Sequence, residues 1–291
     1  MLHLRCGVKL MPIQQMLLGS GGGGPEPPGQ VTFTTGGNHS WTVPNGVTSI
    51  SVLCIGAGGS SSTAGGGGGA LVWTDNFSCT PGAVLSLHVG DNTATNTGGR
   101  DSWFSSTTDL WAGGGNGKTG GTTNGVLRNG LNDGGTAANN NSWRSTKWGA
   151  GGAGAAGYSS SSPGANGNYN SDGSDGQNDS AGSGGAASSV GSGSQCYHGG
   201  GGGGAGVFGL TVSSSYGQKG LSASSGTSGG DGQGNANQGQ TRRGGGTYGG
   251  GQGGLSSGTG GTCPTSYAGG GVVKIIWPGD TRTWPNNCAD V

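Results

Sequence analysis

The sequence predicts a mainly β protein: a small β-sheet or sandwich framing a glycine-rich bundle of extended polyglycine II helices, with long polar loops and little or no α-helix. Three observations lead there. Glycine supplies 77 of the 291 residues, against about 7% in ordinary domains. Apolar residues sit mainly in 31–111 and 207–221 and a short tail at 272–277. Between Ala112 and Gly206 only Val126, Leu127, Leu131 and Val190 come from the Leu/Ile/Val/Phe set. Finally, no stretch has a helical period.

Composition also excludes several classes. The 12 basic and 12 acidic residues cancel, so charge repulsion does not keep the chain unfolded. The glycine run at 65–69 breaks a collagen repeat. No apolar run is long enough for membrane insertion. Balanced charge at 8% of residues offers no basic face for nucleic acid. A conventional two-domain enzyme lacks the apolar material for its cores.

The chain divides by composition into five parts. Residues 1–18 carry Arg5 and Lys9, then an apolar run interrupted by Pro12, Gln14 and Gln15. That makes a poor export signal and reads as an anchoring peptide; Met1 and Met11 are both candidate starts. Residues 19–30 are a Gly/Pro linker. Residues 31–111 form a β-strand region, 112–271 a glycine-rich bundle with variable loops, and 272–291 a closing strand and tail.

Within 31–111, Val31-Thr32-Phe33-Thr34 and Ser40-Trp41-Thr42-Val43 alternate as strands do. Pro44-Asn45-Gly46 is a turn, with proline presetting φ and Asn-Gly tolerating positive φ. Residues 47–55 give the strongest strand, with Ile50, Val52 and Cys54 on one face and Leu53 and Ile55 on the other. Apolar on both sides, it belongs in the middle of a sheet. Residues 70–74 and 84–89 follow, the second after Thr80-Pro81-Gly82, then short strands at 102–104 and 110–111. Residues 272–277 are the last strand.

Beyond residue 111, short glycine tracts recur at 113–115, 149–154, 199–204, 244–246, 249–254 and 269–271. A flexible linker would have this composition. So would a bundle of threefold extended helices, whose outward N–H and C=O groups pair between neighbours because no side chain holds the tracts apart. Many tracts of similar length, with strands at both ends, favour the bundle.

Apparent chemical motifs carry little. Residues 112–119 fit a relaxed phosphate loop and 149–154 fit G-x-G-x-x-G, but neither has the strand-to-helix context that makes a phosphate site. Asp172, Asp175 and Asp179 lack the spacing of a calcium loop. His3, His39, His88 and His198 with a lone Glu26 assemble no catalytic set, so no enzyme activity, cofactor or metal is expected. Four glycosylation sequons arise by chance in Asn/Ser-rich sequence. The six cysteines contain no C-x-x-C pair. Cys54 and Cys79 read as thiols within strands, and a Cys263–Cys288 bridge stays open.

Aromatic residues in polar loops are the candidate binding groups. Trp143, Arg144, Lys147 and Trp148 combine two indoles with two cations. Tyr158, Tyr169, Tyr197 and Tyr216 stand among Ser, Asn and Gly. Tyr and Trp give rigid contact area while Ser, Gly and Asn adapt their hydrogen bonds; the same rings could instead pack on the bundle.

Phe33-Thr34, then Trp41-Thr42-Val43-Pro44-Asn45-Gly46-Val47-Thr48-Ser49-Ile50-Ser51-Val52 and a glycine run, resembles the opening of the glycine-rich domain of bacteriophage tail-fibre and adhesin proteins. Ala70-Leu71-Val72, Thr80-Pro81-Gly82 and Leu85-Ser86-Leu87-His88-Val89-Gly90 continue the likeness, and Gly269-Gly270-Gly271-Val272-Val273-Lys274-Ile275-Ile276-Trp277 is similar to its closing strand. Arg282-Thr283-Trp284-Pro285-Asn286-Asn287 and the peptide from Met11 to Leu18 resemble segments of marine phage and cyanophage virion proteins. The long inserts at 158–198 and 213–243 and the six cysteines depart from the pattern.

The resemblance implies strands framing layered polyglycine helices, with tip loops that contact a host receptor. It turns Trp143, Tyr158 and Tyr169 toward binding. The expectation is a non-enzymatic virion protein of the tail or appendage, extracellular. Residues 1–18 would dock onto other phage tail proteins, and the loops would bind a bacterial surface glycan or outer-membrane protein. Homo-oligomerisation stays open. The alternatives are a purely structural fibre or decoration protein and an ice-binding bundle; the loop aromatics would interrupt the flat face that ice binding needs.

Overall fold

The structure is a computed structural model, and it describes residues 27–61, 64–91, 100–137, 151–158, 196–198, 201–207, 233–236, 244–257, 267–289 and 291. These contain no helix. Thirteen strands form: β1 (Gly29–Phe33), β2 (Gly37–Thr42), β3 (Ser49–Ile55), β4 (Leu71–Ser78), β5 (Val84–Val89), β6 (Ser102–Phe104), β7 (Leu110–Ala112), β8 (Thr123–Asn124), β9 (Gly130–Asn132), β10 (Cys196–His198), β11 (Gln233–Ala236), β12 (Leu255–Ser257) and β13 (Val272–Trp277). They make two five-stranded sheets, ordered β1-β13-β3-β4-β9 and β2-β5-β6-β7-β8, and a small sheet β11-β10-β12. All pairings are antiparallel.

The two large sheets face each other across a core. Ile50, Val52 and Cys54 of β3, Val72 of β4 and Val273 and Ile275 of β13 meet Leu87, Val89, Phe104, Leu110 and Ala112 from the second sheet. Phe77 meets Phe104 edge-on at 5.5 Å, and Trp41 contacts Trp277 at 5.8 Å. Strand β3 is central, as its two apolar faces require. Its other face, with Leu53 and Ile55, joins Leu71, Trp73, Val272 and Ile276 in a second cluster. That cluster is covered by Ala155, Ala156 and Tyr158, by Ala205 and Val207, and by Trp284 and Cys288 of the tail. The first sheet is therefore buried on both sides.

At one end of the sandwich the strands run straight into glycine tracts. β3 ends at Ile55 and Gly56 follows; β4 begins one residue after Ala70; β7 leads to Gly113, β9 to Asp133, and Gly271 leads into β13. There the pairing rule changes. In tract 64–70, Gly66 and Gly69 donate their N–H to the carbonyls of Gln252 and Gly249 (both 2.7 Å). Gly67 and Ala70 donate to Gly117 (2.8 Å) and Gly113 (3.0 Å), and Gly68 to Gly135 (2.9 Å). The carbonyls follow suit: those of Gly66 and Gly69 accept from Ala153 (2.8 Å) and Ala156 (3.0 Å), those of Gly67 and Ala70 from Gly59 (2.8 Å) and Gly56 (2.9 Å), and that of Gly68 from Gly121 (2.8 Å). Direction repeats every third residue, as a threefold polyglycine II helix dictates. A pleated strand would repeat every second residue and reach only two neighbours.

Glycine is needed here for space. A methyl group on Gly68 would stand 1.8 Å from the Gly154 oxygen, and one on Gly69 1.9 Å from the Gly56 oxygen. These oxygens point at the α-carbons from about 3.4 Å or less, within reach of Cα–H···O contact. Ala155, Ala156 and Ala205 stand where the tracts abut the first sheet.

The structure bears on four of the sequence readings. Residue 111 does not divide the molecule, because 56–61 and 64–70 pair with the bundle while β8 and β9 beyond it complete both sheets. The phosphate-loop lookalike is a tight turn: Asn116 and Thr119 exchange backbone hydrogen bonds of 2.9 and 3.0 Å and Gly117 sits at φ +55°, with no helix after it. Cys288 is a free, buried thiol rather than half of a bridge, donating to the Pro285 carbonyl at 3.5 Å. Cys54 and Cys79 are free too, with Cys79 only half-buried.

The chain enters at the opposite end of the sandwich. Gly29 pairs with Trp277, whereas Phe33 pairs with Val273 near the bundle. The Trp277 indole donates to the Pro27 carbonyl at 3.2 Å. Buried Arg282 donates to the carbonyls of Gly29, Trp277 and Ala289 and to the Gln30 side chain. One guanidinium thus ties the tail to β1.

Candidate functional site

Of the loop residues expected to bind, Trp143, Arg144, Lys147, Trp148, Tyr169 and Tyr216 lie outside the described residues. Tyr197 stands in β10 opposite Ser256 of β12; its side chain is outside them as well. Tyr158 is described, and it is a packing residue. It is 3% exposed, stacks on Trp284 (5.8 Å, 7°), meets Trp73 edge-on (5.7 Å) and donates its hydroxyl to the Gly206 carbonyl at 2.8 Å. The expectation that it reaches a receptor is corrected. A ring so enclosed presents no surface, and it fills the joint between tract 151–157 and the first sheet. Lys274 completes that joint, donating to the Val207 carbonyl at 3.2 Å with its ammonium 5.7 Å from the Trp284 ring, a cation–π contact. Asp75 accepts from the Trp284 backbone N–H at 2.8 Å. Burial nevertheless lifts its carboxyl above the usual range, the hydrogen bonds from Trp284 and Ser51 opposing it.

A row of half-buried aromatic rings lies on the outer face of the second sheet. Leu87, Val89, Phe104, Leu110 and Ala112 point into the core, so strand alternation sends their neighbours outward. The register then aligns one row across all five strands: Asn38 opposite His88, His88 opposite Trp103, Trp103 opposite Trp111, and Trp111 opposite Asn124. The two asparagines are exposed and the three rings half-buried. The next row, toward the chain entry, pairs exposed Ser40 with exposed Ser86.

Local bonds set the shape of this row. The His88 ring lies nearly parallel to Trp103, 6.1 Å away at 12°. Its Nδ1 is 2.8 Å from the Asp101 carbonyl oxygen. A carbonyl only accepts, so the proton is assigned to Nδ1, and in the neutral ring Nε2 is an acceptor. Asp101 in turn accepts from the Gly114 N–H at 2.9 Å, holding the start of β6 to the end of β7. Trp111 leans along its own strand until its ring nearly touches the α-carbon of Gly113; a methyl there would come within 2.9 Å of the ring edge. The row thus sets two indoles and an imidazole side by side in register, with an amide at either end and no formal charge while His88 is neutral.

The strip presents aromatic faces, amides and an imidazole nitrogen at the surface of the second sheet. Among the described residues no group of three or more His, Cys, Asp or Glu side chains could hold a metal, and no helix is long and apolar enough to cross a membrane. Sequence reading missed the strip because Ser102-Trp103-Phe104 and Leu110-Trp111-Ala112 look apolar throughout. The usable signal was the period of two: with Phe104, Leu110 and Ala112 inside, Trp103 and Trp111 must be outside. Comparison with family models and with curated proteins returns no match to this chain.

Proposed function

We propose that this protein is a phage virion component of the tail-fibre or adhesin type, extracellular, that recognises a bacterial surface receptor. The supporting observation is the polarity of the molecule. The chain enters at the end of the sandwich remote from the glycine bundle, tied there by Trp277 and Arg282, while the tracts carry the chain away from the other end. An anchoring peptide at 1–18 and recognition loops between tracts would then act at opposite ends of a rigid body. Rigid presentation lowers the ordering cost of binding, and several copies on one particle would raise avidity.

The test is saturable binding of the labelled full chain to a panel of marine bacteria that includes cyanobacteria. Binding to a few strains is expected. It should be lost when 139–148 is replaced by Gly/Ser residues while 151–158, which the fold needs, is kept. A second reading, a purely structural fibre or decoration protein, is favoured by the burial of Tyr158. A folded protein that binds no strain would establish that reading instead.

A further inference from the structure

We propose that the outer face of the second sheet is a saccharide subsite, in which Trp103 and Trp111 stack on the C–H faces of pyranose rings of an uncharged glycan. Asn38, His88 and Asn124 hydrogen-bond its hydroxyls there. The inference rests on the receptor-binding reading but on none of the loops.

Four features of the row select this ligand. It is continuous across the sheet, because cross-strand register sets it; strands about 4.8 Å apart make it about 19 Å long over five strands. That spacing matches the advance of an extended oligosaccharide by roughly one ring per strand. Two adjacent indoles offer apolar faces to the C–H side of a sugar, as aromatic rings do for flat apolar partners. The Asn38 amide both donates and accepts, Asn124 offers its NH2 while its Oδ1 accepts from the Gly125 N–H at 2.8 Å, and His88 Nε2 accepts, which suits hydroxyls that do both. Finally, the row carries no ammonium or guanidinium. A phosphate or sulfate would find no counter-charge in the row itself: Arg100, the nearest cation along the chain to Trp103, is engaged with Asp91 at 2.9 Å, and Arg128, beside the Asn124 end, donates to the Gly125 carbonyl at 2.6 Å.

Sheet stabilisation by the Trp103–Trp111 pair is the competing account, and the two differ in what they predict. Cellotetraose, maltotetraose and a β-1,3-linked glucose tetrasaccharide serve as uncharged probes, and a sulfated oligosaccharide as the charged comparison. They are titrated into the full chain, with tryptophan fluorescence and calorimetry as readouts. Saturable binding of at least one uncharged probe is expected, and none of the sulfated one. Trp103→Ala and Trp111→Ala should each weaken binding about tenfold. Trp103→Phe keeps a stacking ring should the alanine variant not fold, and should retain part of the affinity. Asn38→Ala, exposed on edge strand β2, should weaken binding with the melting temperature unchanged.

The subsite is refuted if no uncharged probe saturates at millimolar concentration, or if binding ignores all four substitutions. Cell binding by the same variants separates the two proposals. Strain binding that persists without saccharide binding overturns the subsite and leaves the adhesin reading standing. Absence of both overturns both.

Discussion

The sandwich and the glycine bundle are made of the same extended chain, which passes from one to the other between residues 55 and 56 without a loop, yet different forces hold them. In the sandwich each inner strand bonds to two neighbours, and side chains such as Ile50, Leu87 and Phe104 fill the space between sheets. Hydrophobic burial does most of the work there, about 1.5–3 kcal/mol for each such side chain. In the bundle one tract bonds in several directions and the space between tracts is closed by backbone alone. Tract 64–70 reaches tracts on all sides through its own N–H and C=O groups. What side chains do for the first region, their absence does for the second.

The comparison is broken most directly by adding the smallest side chain to the bundle. Gly66→Ala and Gly68→Ala would each drive a methyl to 1.8 Å from a carbonyl oxygen, with overpacking costs of about 3 kcal/mol or more apiece. The double variant is expected to lose its cooperative unfolding transition in calorimetry. Retention of a sharp transition near the parent temperature would refute the close-packed bundle.

Next in size is the opposite operation on the sandwich. Phe104→Ala removes a fully buried ring and should cost about 3–5 kcal/mol by denaturant titration. A cost below about 1 kcal/mol would mean that the bundle, rather than this core, sets stability.

Alkaline pH separates the regions a third way. Cys54 lies in the sandwich core, where burial pushes its thiol far above the ordinary 9.0; Cys288, pushed up to about 12, shifts in the same direction. Below pH 9.0 both folded and unfolded chains keep these protons, and the stability they confer is fully present. Above it the unfolded chain ionises first, and stability falls as pH rises toward the folded pKa, by up to about 1.4 kcal/mol per unit for Cys54. Tract 64–70 has no titratable side chain to contribute. Denaturant midpoints from pH 8 to 11 should therefore slope downward, and Cys54→Ala should flatten the slope. A parent slope unchanged by Cys54→Ala would place the sensitivity elsewhere.

The smallest effect sharpens the first. At Gly270 an added methyl meets nothing nearer than 3.8 Å, whereas at adjacent Gly269 it meets the Gly246 oxygen at 1.9 Å. Gly270→Ala is expected to be neutral or stabilising by about 0.4–1 kcal/mol through the unfolded chain; Gly269→Ala should destabilise. Equal effects at the two would show that space is not what glycine provides.

Legibility in the sequence followed the same division. Strands β3, β5 and β13 were readable because Val, Ile and Leu alternate or run together where burial demands it. Strands β8 and β9 were not: Thr123-Asn124 and Gly130-Leu131-Asn132 join their sheets by backbone pairing, and the Trp73 ring lies over Gly130 where a side chain would otherwise stand. The bundle was visible only as repeated glycine, without its neighbours, since tract partners are chosen by three-dimensional contact and leave no side-chain trace. Tyr158 misled because Ser and Asn follow it. The informative residues precede it: Ala155, three positions back and so on the same face of a threefold helix, packs with it on the first sheet. His88, Trp103 and Trp111 stood far apart in sequence, and only strand register brought them into line.

The ladder between β1 and β13 has a mechanical consequence. The chain enters β1 at Gly29, while β13 is joined to the bundle at Val272, the far end of the same antiparallel pair. Tension between the entry point and the bundle would run along the strands and strain all five residue pairs, Gly29 with Trp277 through Phe33 with Val273, together in shear. A pair pulled apart from one end would instead unzip bond by bond. A body tethered at its entry and held at its bundle would resist extension at the junction where its first strand meets its last.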